Sequence, residues 1–285
     1  MTTFPGDDLR RSLAAATRRI RPFAHPLVGY EVLGSTNDEA VRLAGLGAAE
    51  GTTVIANAQT GGRGRAGRGW FSPPGAGLYV SVVLRPLASA PPGSAPQLAS
   101  WSRLITLAAG VAVADGIRTA TGLPVTIKWP NDLVFSDGPG PLIVDRRSRK
   151  VAGILAEASA AGDGTPHVIV GVGINVTPVA YPREIAARAT SLDVEAGRAI
   201  DRATVLVELL AALAARYADL RAGRAAAVLA RWRDLSPSAM GARVSLLRDG
   251  DRVAGTTAGL TGEGALLVRT ARGVDSVTSG EVTWE

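Results

Sequence analysis

Hydrophobic positions in this chain change period several times, and each change marks an element. Val28, Tyr30 and Val32 alternate as a short strand does. Thr36 and Glu39 then stand three apart around Ala40, Val41 and Ala44, the spacing of a capping box on a helix that Gly45 or Gly47 stops. Residues 52–56 and 78–84 predict two strands, the second rich in β-branched side chains. From 97 to 121, Leu98, Trp101, Leu104, Ile105, Ala108, Val111 and Ala112 recur at a 3.6 period, which predicts a buried helix ended by Gly122. Residues 125–128, 150–157 and 167–176 predict three more strands, the last two a hairpin closed by the Gly-Asp-Gly turn at 162–164, and 88–96 a surface connection. Gly171 and Gly173 share one face by two-residue alternation, so a ligand or another backbone can come close there. Helices at 201–221 and around Val228, Leu229 and Trp232 read as covers, and a short helix fits the arginine-rich first 24 residues. After Ser236-Pro237 the segments shorten: 243–248, 253–260, 264–270 and 274–282 predict four short strands with Gly or Asp turns. The fold class is therefore α+β, a mixed sheet with flanking helices over residues 25–235, preceded by an extension (1–24) and followed by a small β-barrel domain (236–285).

Length and composition narrow this little. A chain of 285 residues that is 46% hydrophobic buries a full core. Its longest apolar run, 104–114, is short of the roughly 20 residues a membrane span needs, and no apolar stretch follows the N-terminal arginines, so neither a membrane partner nor a signal peptide is expected. With no cysteine there is no disulfide, thiolate site or thiol nucleophile, and a cytoplasmic location is the expectation. The net charge of +6 predicts only nonspecific attraction to polyanions. The kind of cation says more: of 31 basic residues 29 are arginine, and lysine stands only at 128 and 150. Two retained lysines suggest places where a compact ammonium, not a guanidinium fork, is needed.

Glycine and arginine alternate from Gly61 to Trp70, giving a pliable backbone with three fixed charges at Arg63, Arg65 and Arg68. The stretch also spells G-x-G-x-x-G at Gly62, Gly64 and Gly67. A dinucleotide fingerprint would open a helix there and place an acid about 20 residues on. Trp-Phe-Ser-Pro-Pro follows instead, and no Asp or Glu occurs in the 64 residues from Gly51 to Ala114. An anion site fits better, with a solvated basic loop or a nucleic-acid patch as the alternatives. Other scarce polar residues stand at element ends beside glycine: Lys128, Lys150, Gln59, and asparagines 37, 57, 131 and 175. Ser35, Thr36 and Asn37 could serve capping alone, and Asn131 with Asp132 an Asx turn alone. His25 and His167 are far apart, there is no Walker loop, and a triad or zinc site does not fit. Cations with amide and hydroxyl groups but no nucleophile suit activation of a carboxylate by a nucleotide.

Five motifs, in order, resemble the biotin protein ligases: Gly34-Ser35-Thr36-Asn37; Gln59 with Gly62-Arg63-Gly64-Arg65-Ala66-Gly67-Arg68 and Trp70; Lys128-Trp129-Pro130-Asn131-Asp132-Leu133; Lys150-Val151-Ala152-Gly153-Ile154-Leu155; and Gly171-Val172-Gly173-Ile174-Asn175. The resemblance implies a class II synthetase-like catalytic domain with an SH3-like C-terminal barrel. It also implies the reaction: biotin and ATP with magnesium (Mg2+) give biotinoyl-adenylate, and biotin then passes to a lysine of a biotin carboxyl carrier domain of an acyl-CoA carboxylase. On matching positions, Lys150, Lys128 and Arg65 would be catalytic. Ser35, Thr36, Asn37, Gln59, Gly62, Arg63, Arg65, Lys150, Gly153 and Gly171 would bind biotin. Arg63, Arg65, Arg68, Trp70, Lys128, Asn131 and Asn175 would bind ATP and the adenylate, and Asp132 the metal. Residues 61–70 would be a hinged lid, poorly ordered until ligands arrive. Too few residues precede 25 for a DNA-binding domain, so no repressor role and no specific nucleic acid are expected, and the chain is expected to be a monomer or weak homodimer. Residues 136–149 are longer than the family pattern. The rivals are an ATP-using lipoate ligase and a basic nucleic-acid-binding protein.

Overall fold

A computed structural model describes residues 6–24, 26–87, 95–136, 147–160, 164–248, 251–278 and 282–285. His25, most of the 88–96 and 136–149 connections, and most of the turns at 162–164 and 249–250 lie outside the described residues. Seven strands form the central sheet in the order β1 (Leu27–Leu33), β2 (Thr53–Gln59), β3 (Gly77–Leu84), β7 (Pro166–Asn175), β6 (Arg149–Ala160), β5 (Asp132–Phe135) and β4 (Thr126–Lys128). Only β1 and β2 run parallel, so the sheet is mixed as expected. Strand β5 replaces the turn expected at Asp132: Lys128 and Asp132 are paired at the base of a tight hairpin.

One face of the sheet is covered by α3 (Ala95–Thr121), which packs on β6 and β7 and carries α6 (Arg202–Arg221) and α7 (Ala225–Asp234) behind it. By length and composition, Leu98–Thr121 of α3 is also long and apolar enough to cross a membrane, unlike the shorter run read from the sequence. Here it is a core helix, with Ile105, Val111, Val113 and Ile117 buried against the sheet and α6. The N-terminal helix α1 (Asp7–Ala15) joins the same core: Leu13, Ile20 and Phe23 are buried, and the Phe23 ring meets Tyr217 of α6 at 6.4 Å.

The opposite face holds α2 (Thr36–Gly45), whose Ala40 and Ala44 pack on Val54, Val83 and Ile169. Its cap differs from the expected box. Ser35 is the N-cap and accepts from the Asp38 amide at 3.4 Å. Thr36 is engaged by Gln59, and Glu39 instead accepts from the Tyr30 hydroxyl at 2.6 Å and from Arg42. Between β7 and α6 the chain forms two short helices that periodicity missed, α4 (Arg183–Ala186) and α5 (Leu192–Ala196).

The C-terminal strands form an antiparallel sheet in the order β11 (Gly273–Val277), β10 (Leu266–Thr270), β9 (Asp251–Leu260), β8 (Met240–Arg248) and β12 (Val282–Trp284). The fourth expected strand is thus two, at opposite edges, and among the described residues no ladder closes the barrel. This sheet is seated against the site-bearing layer: Trp129 Nε1 donates to the Gly264 carbonyl at 3.3 Å.

Two glycines of α3 separate packing from helix propensity. A Cβ on Gly116 would stand 2.9 Å from the Leu209 backbone of α6, whereas one on Gly110 would meet nothing nearer than 3.6 Å. Gly116→Ala is expected to lose about 1–3 kcal/mol by overpacking. Gly110→Ala is expected to gain up to about 1 kcal/mol of helix propensity. Urea midpoints that move in the same direction for both would contradict this packing.

Candidate functional site

A cavity of about 300 Å³ opens where β2, β4 and β7 end and β5 and β6 begin. Every residue assigned above to catalysis, biotin, the nucleotide or the metal lines it except Gly62. The Gln59 amide and Thr36 are the centre of its polar wall. Gln59 Oε1 accepts from the Thr36 amide at 2.8 Å and from its hydroxyl at 3.1 Å, while Gln59 Nε2 donates to Ser72 Oγ at 2.9 Å. Ser81, buried in β3 and 2.8 Å from the Thr36 hydroxyl, extends the network. Neither serine was marked by the sequence reading, although a serine within the apolar run of β3 was a signal.

The floor is the glycine-bearing face of β6 and β7, where Gly153 is paired with Gly173. A Cβ on Gly173 would lie 2.5 Å from the Trp70 indole, and one on Gly153 would lie 3.0 Å from it. The ring therefore lies flat on bare backbone, and the Lys150 ammonium sits 5.1 Å from its centre, within cation–π range. The Trp70 Nε1 is buried without a partner among the described protein groups. Two glycines do other work than expected. The space over Gly171 is filled by the Asn37 side chain, and Gly62 is needed because a side chain there would strike the Trp70 carbonyl. Asn37 is itself committed, donating to Glu157 Oε2 at 2.8 Å and lying 2.6 Å from Ser81 Oγ. Asn57 does not line the cavity; its Oδ1 accepts from Arg202 at 3.2 Å.

The glycine–arginine stretch, expected as a set of hinges, forms a defined hairpin. The Trp70 amide donates to the Gly62 carbonyl at 2.8 Å, Arg63 bridges Gly69, and a 3-10 turn at Arg65–Gly67 makes the tip. Arg65 is half-buried and donates to Asn131 Oδ1 at 3.4 Å. Arg63 is held by Glu157 through two bonds at 2.8 and 2.7 Å and by Asp38 at 2.7 Å.

Opposite the hairpin the lysines converge on Asp132, the one carboxylate lining the cavity among the described residues. Lys150 Nζ is 2.6 Å from Asp132 Oδ1. Burial pushes the Lys128 ammonium below its ordinary pKa; Asp132 opposes the shift, while Lys150, Arg188 and Arg68 add to it. Arg188 and Tyr181, between β7 and α5, were missed by sequence reading and line the mouth. The signal available was position alone: the chain leaving a strand whose end carries Asn175 must pass the opening. Asn131 and Asn175 brace this wall, donating to the Ile154 carbonyl at 2.8 Å and the Thr190 carbonyl at 3.0 Å. Among the described residues no group of three His, Cys, Asp or Glu could hold a metal ion. The arrangement is a cluster of cations facing a polar wall.

Residues 30–175 match the Biotin/lipoate A/B protein ligase family, and residues 240–283 match the Biotin protein ligase C terminal domain. The chain is 36% identical over 258 residues to the bifunctional ligase/repressor BirA of Bacillus subtilis, covering 90% of this chain and 73% of that protein. It is 34% identical over 255 residues to the biotin--[acetyl-CoA-carboxylase] ligase of Mycobacterium tuberculosis, covering 87% and 85%. Among solved structures, the biotin protein ligase from Aquifex aeolicus in complex with biotin and ATP superposes with a TM-score of 0.72 at 29% identity, covering 92% of this chain and 99% of that one.

The cation cluster makes a pH prediction. Only the protonated Lys128 attracts an anion, so pyrophosphate affinity is expected to fall as pH rises through the lowered pKa of this group, below its ordinary 10.5. Lys128→Arg, which keeps its charge, should hold affinity to higher pH. Calorimetric titrations of parent and variant with the same pH profile would remove Lys128 from the site.

Proposed function

Because this chain belongs to the biotin/lipoate A/B protein ligase family, we propose that its cavity joins biotin to a carrier lysine in two half-reactions. It is a biotin--[acetyl-CoA-carboxylase] ligase, using biotin and ATP. In the first half-reaction a biotin carboxylate oxygen attacks the α-phosphorus of ATP, the bond to the β-phosphate oxygen breaks, and pyrophosphate leaves. In the second, the amine of an acceptor lysine attacks the acyl carbon of biotinoyl-adenylate, loses a proton, and AMP departs.

The observation that carries this reading is the cluster of Lys128, Lys150, Arg65, Arg68 and Arg188 around a carboxylate, Asp132, that is the single one lining the cavity among the described residues. Such an excess calls for a multiply charged anion, and the cations would offset charge gathering on the transferring phosphate. Lys150, beside the bare floor of Gly153 and Gly173, would align the biotin carboxylate with that phosphate. Arg65 and Arg68 would cover the adenylate, and Trp70 would stack beside its base. Among the described residues a magnesium ion arriving on ATP would find Asp132 as its one cavity-lining carboxylate, which suits an ion held mainly by phosphates and water.

The polar wall favours biotin over lipoate. Thr36 and Gln59 keep spare hydrogen-bonding capacity for a ureido ring, whereas a dithiolane would leave it unused. Transfer through a thioester is excluded by the absence of cysteine. The acceptor is a biotin carboxyl carrier domain, the protein acts in the cytoplasm as a monomer or weak dimer, and the basic charge serves substrate phosphates rather than nucleic acid.

Biotin-dependent exchange of labelled pyrophosphate into ATP is the direct test. Exchange is expected with biotin and not with lipoate; the reverse would overturn the reading. Lys150→Ala is expected to lower the exchange rate by roughly 100-fold or more, and an unchanged rate would remove its assigned role.

A further inference from the structure

One of the three loop arginines is already spent. The Arg63 guanidinium meets both oxygens of Glu157 and one of Asp38, all at 2.7–2.8 Å. Two carboxylates offset its charge, so it offers less to a substrate anion than Arg65 or Arg68. Neither carboxylate lines the cavity: Glu157 lies on β6 and Asp38 in the first turn of α2. Both belong to the fixed frame, whereas Arg63 belongs to the hairpin. The planar two-bond pairing with Glu157 fixes direction as well as distance. The same Glu157 also accepts from Asn37, whose side chain fills the space over Gly171, so the pairing is anchored to the cavity floor.

We propose that Asp38 and Glu157 are positioning residues for the reaction: by holding Arg63 they set how much of the time the hairpin lies closed, and so how fast the acyl-adenylate escapes before transfer. The part concerning escape rests on the proposed function; the closure of the hairpin does not. Arg63 is spent mainly on closing the loop, and Arg65 and Arg68 remain for the ligand. If opening is fast relative to departure, the escape rate follows the open fraction. Loss of the charged, two-bond pair in Glu157→Gln should then speed escape roughly ten-fold or more. Loss of the more exposed partner in Asp38→Asn should give roughly a two- to five-fold effect.

The full chain is loaded with labelled biotin and ATP in the presence of pyrophosphatase, and release of labelled adenylate is followed after dilution into unlabelled biotin. The expected results are faster release from both variants, acceleration of the parent by salt, and slow release restored when Arg63→Glu is combined with Glu157→Arg. Independently of any ligand, amide exchange across residues 62–69 should quicken in Glu157→Gln with the central strands unchanged. Unchanged loop exchange overturns the latch, as does unchanged release from a parent and variants that all form adenylate. A lowered thermal midpoint with unchanged release would show a structural role only, and Asp38→Asn, at an exposed carboxylate, separates that outcome from misfolding. A parent that forms no biotin adenylate would overturn the function instead, leaving loop exchange to decide the latch.

Discussion

The crowding of cations around Asp132 is the constraint on which this structure turns. Two unit charges about 4 Å apart interact by roughly 4 kcal/mol near a protein surface, so gathering Lys128, Lys150, Arg65 and Arg68 against one carboxylate is unfavourable by itself. The depressed Lys128 pKa, caused first by burial and then by its cationic neighbours, is the visible sign of that cost. The frame holds the cluster by backbone pairing. Lys150 donates its amide to the Arg188 carbonyl at 2.7 Å, and Ile154 donates to the Asn131 carbonyl at 2.9 Å. Asp132 serves as the counter-ion of Lys150 until phosphates bring more negative charge than one carboxylate can supply.

A second constraint is the need for bare backbone beneath the cluster. A β-sheet face ordinarily presents a side chain at every second position, yet here Gly153, Gly171 and Gly173 leave a trough. Trp70 lies over two of these glycines and Asn37 over the third; a Cβ would clash outright at Gly171 and Gly173 and be tight at Gly153. The trough therefore organises protein side chains first. A ligand reaching the floor must share it with, or displace, an indole whose buried N–H has no protein acceptor among the described residues.

Much of the frame was legible because periodicity is local. The 3.6 repeat of Leu98, Leu104, Ile105, Val111 and Ala112 and the β-branched run of β3 each report their own burial. The site positions were legible because polar residues at strand ends are costly unless something uses them. What those residues touch was not legible: Arg63 and Glu157 are 94 positions apart, and neither pattern nor charge names such a partner. Thr36 looked like a cap because spacing ignores Gln59, 23 residues away, which claims it. Strand β5 was hidden because Asn131-Asp132 spells a turn, whereas the turn ends at Asn131 and Asp132 opens the strand, and Leu133 to Phe135 are too few to display a period. Tyr181 and Arg188 lie in irregular chain, where composition carries no address.

The division between frame and hairpin bears on how one cavity can serve two half-reactions. Lys128, Asp132 and Lys150 stand on strands, and Trp129 between them is buried and tied to the Gly264 carbonyl of the C-terminal sheet. A Cβ on Gly264 would overlap Leu107 of α3, so that sheet is packed tightly against the layer behind the cations. Moving the cluster would mean unpacking two sheets. Under the proposed function a covered cavity would suit adenylate formation and an open one acyl transfer, so the part that changes must be cheap to move. The hairpin meets that need, because its partly exposed ion pairs are worth far less than the buried core behind the strands. Under the proposed function, placing Arg65 and Arg68 on the movable part and the lysines on the fixed part would let the cover withdraw while the acyl phosphate stays aligned.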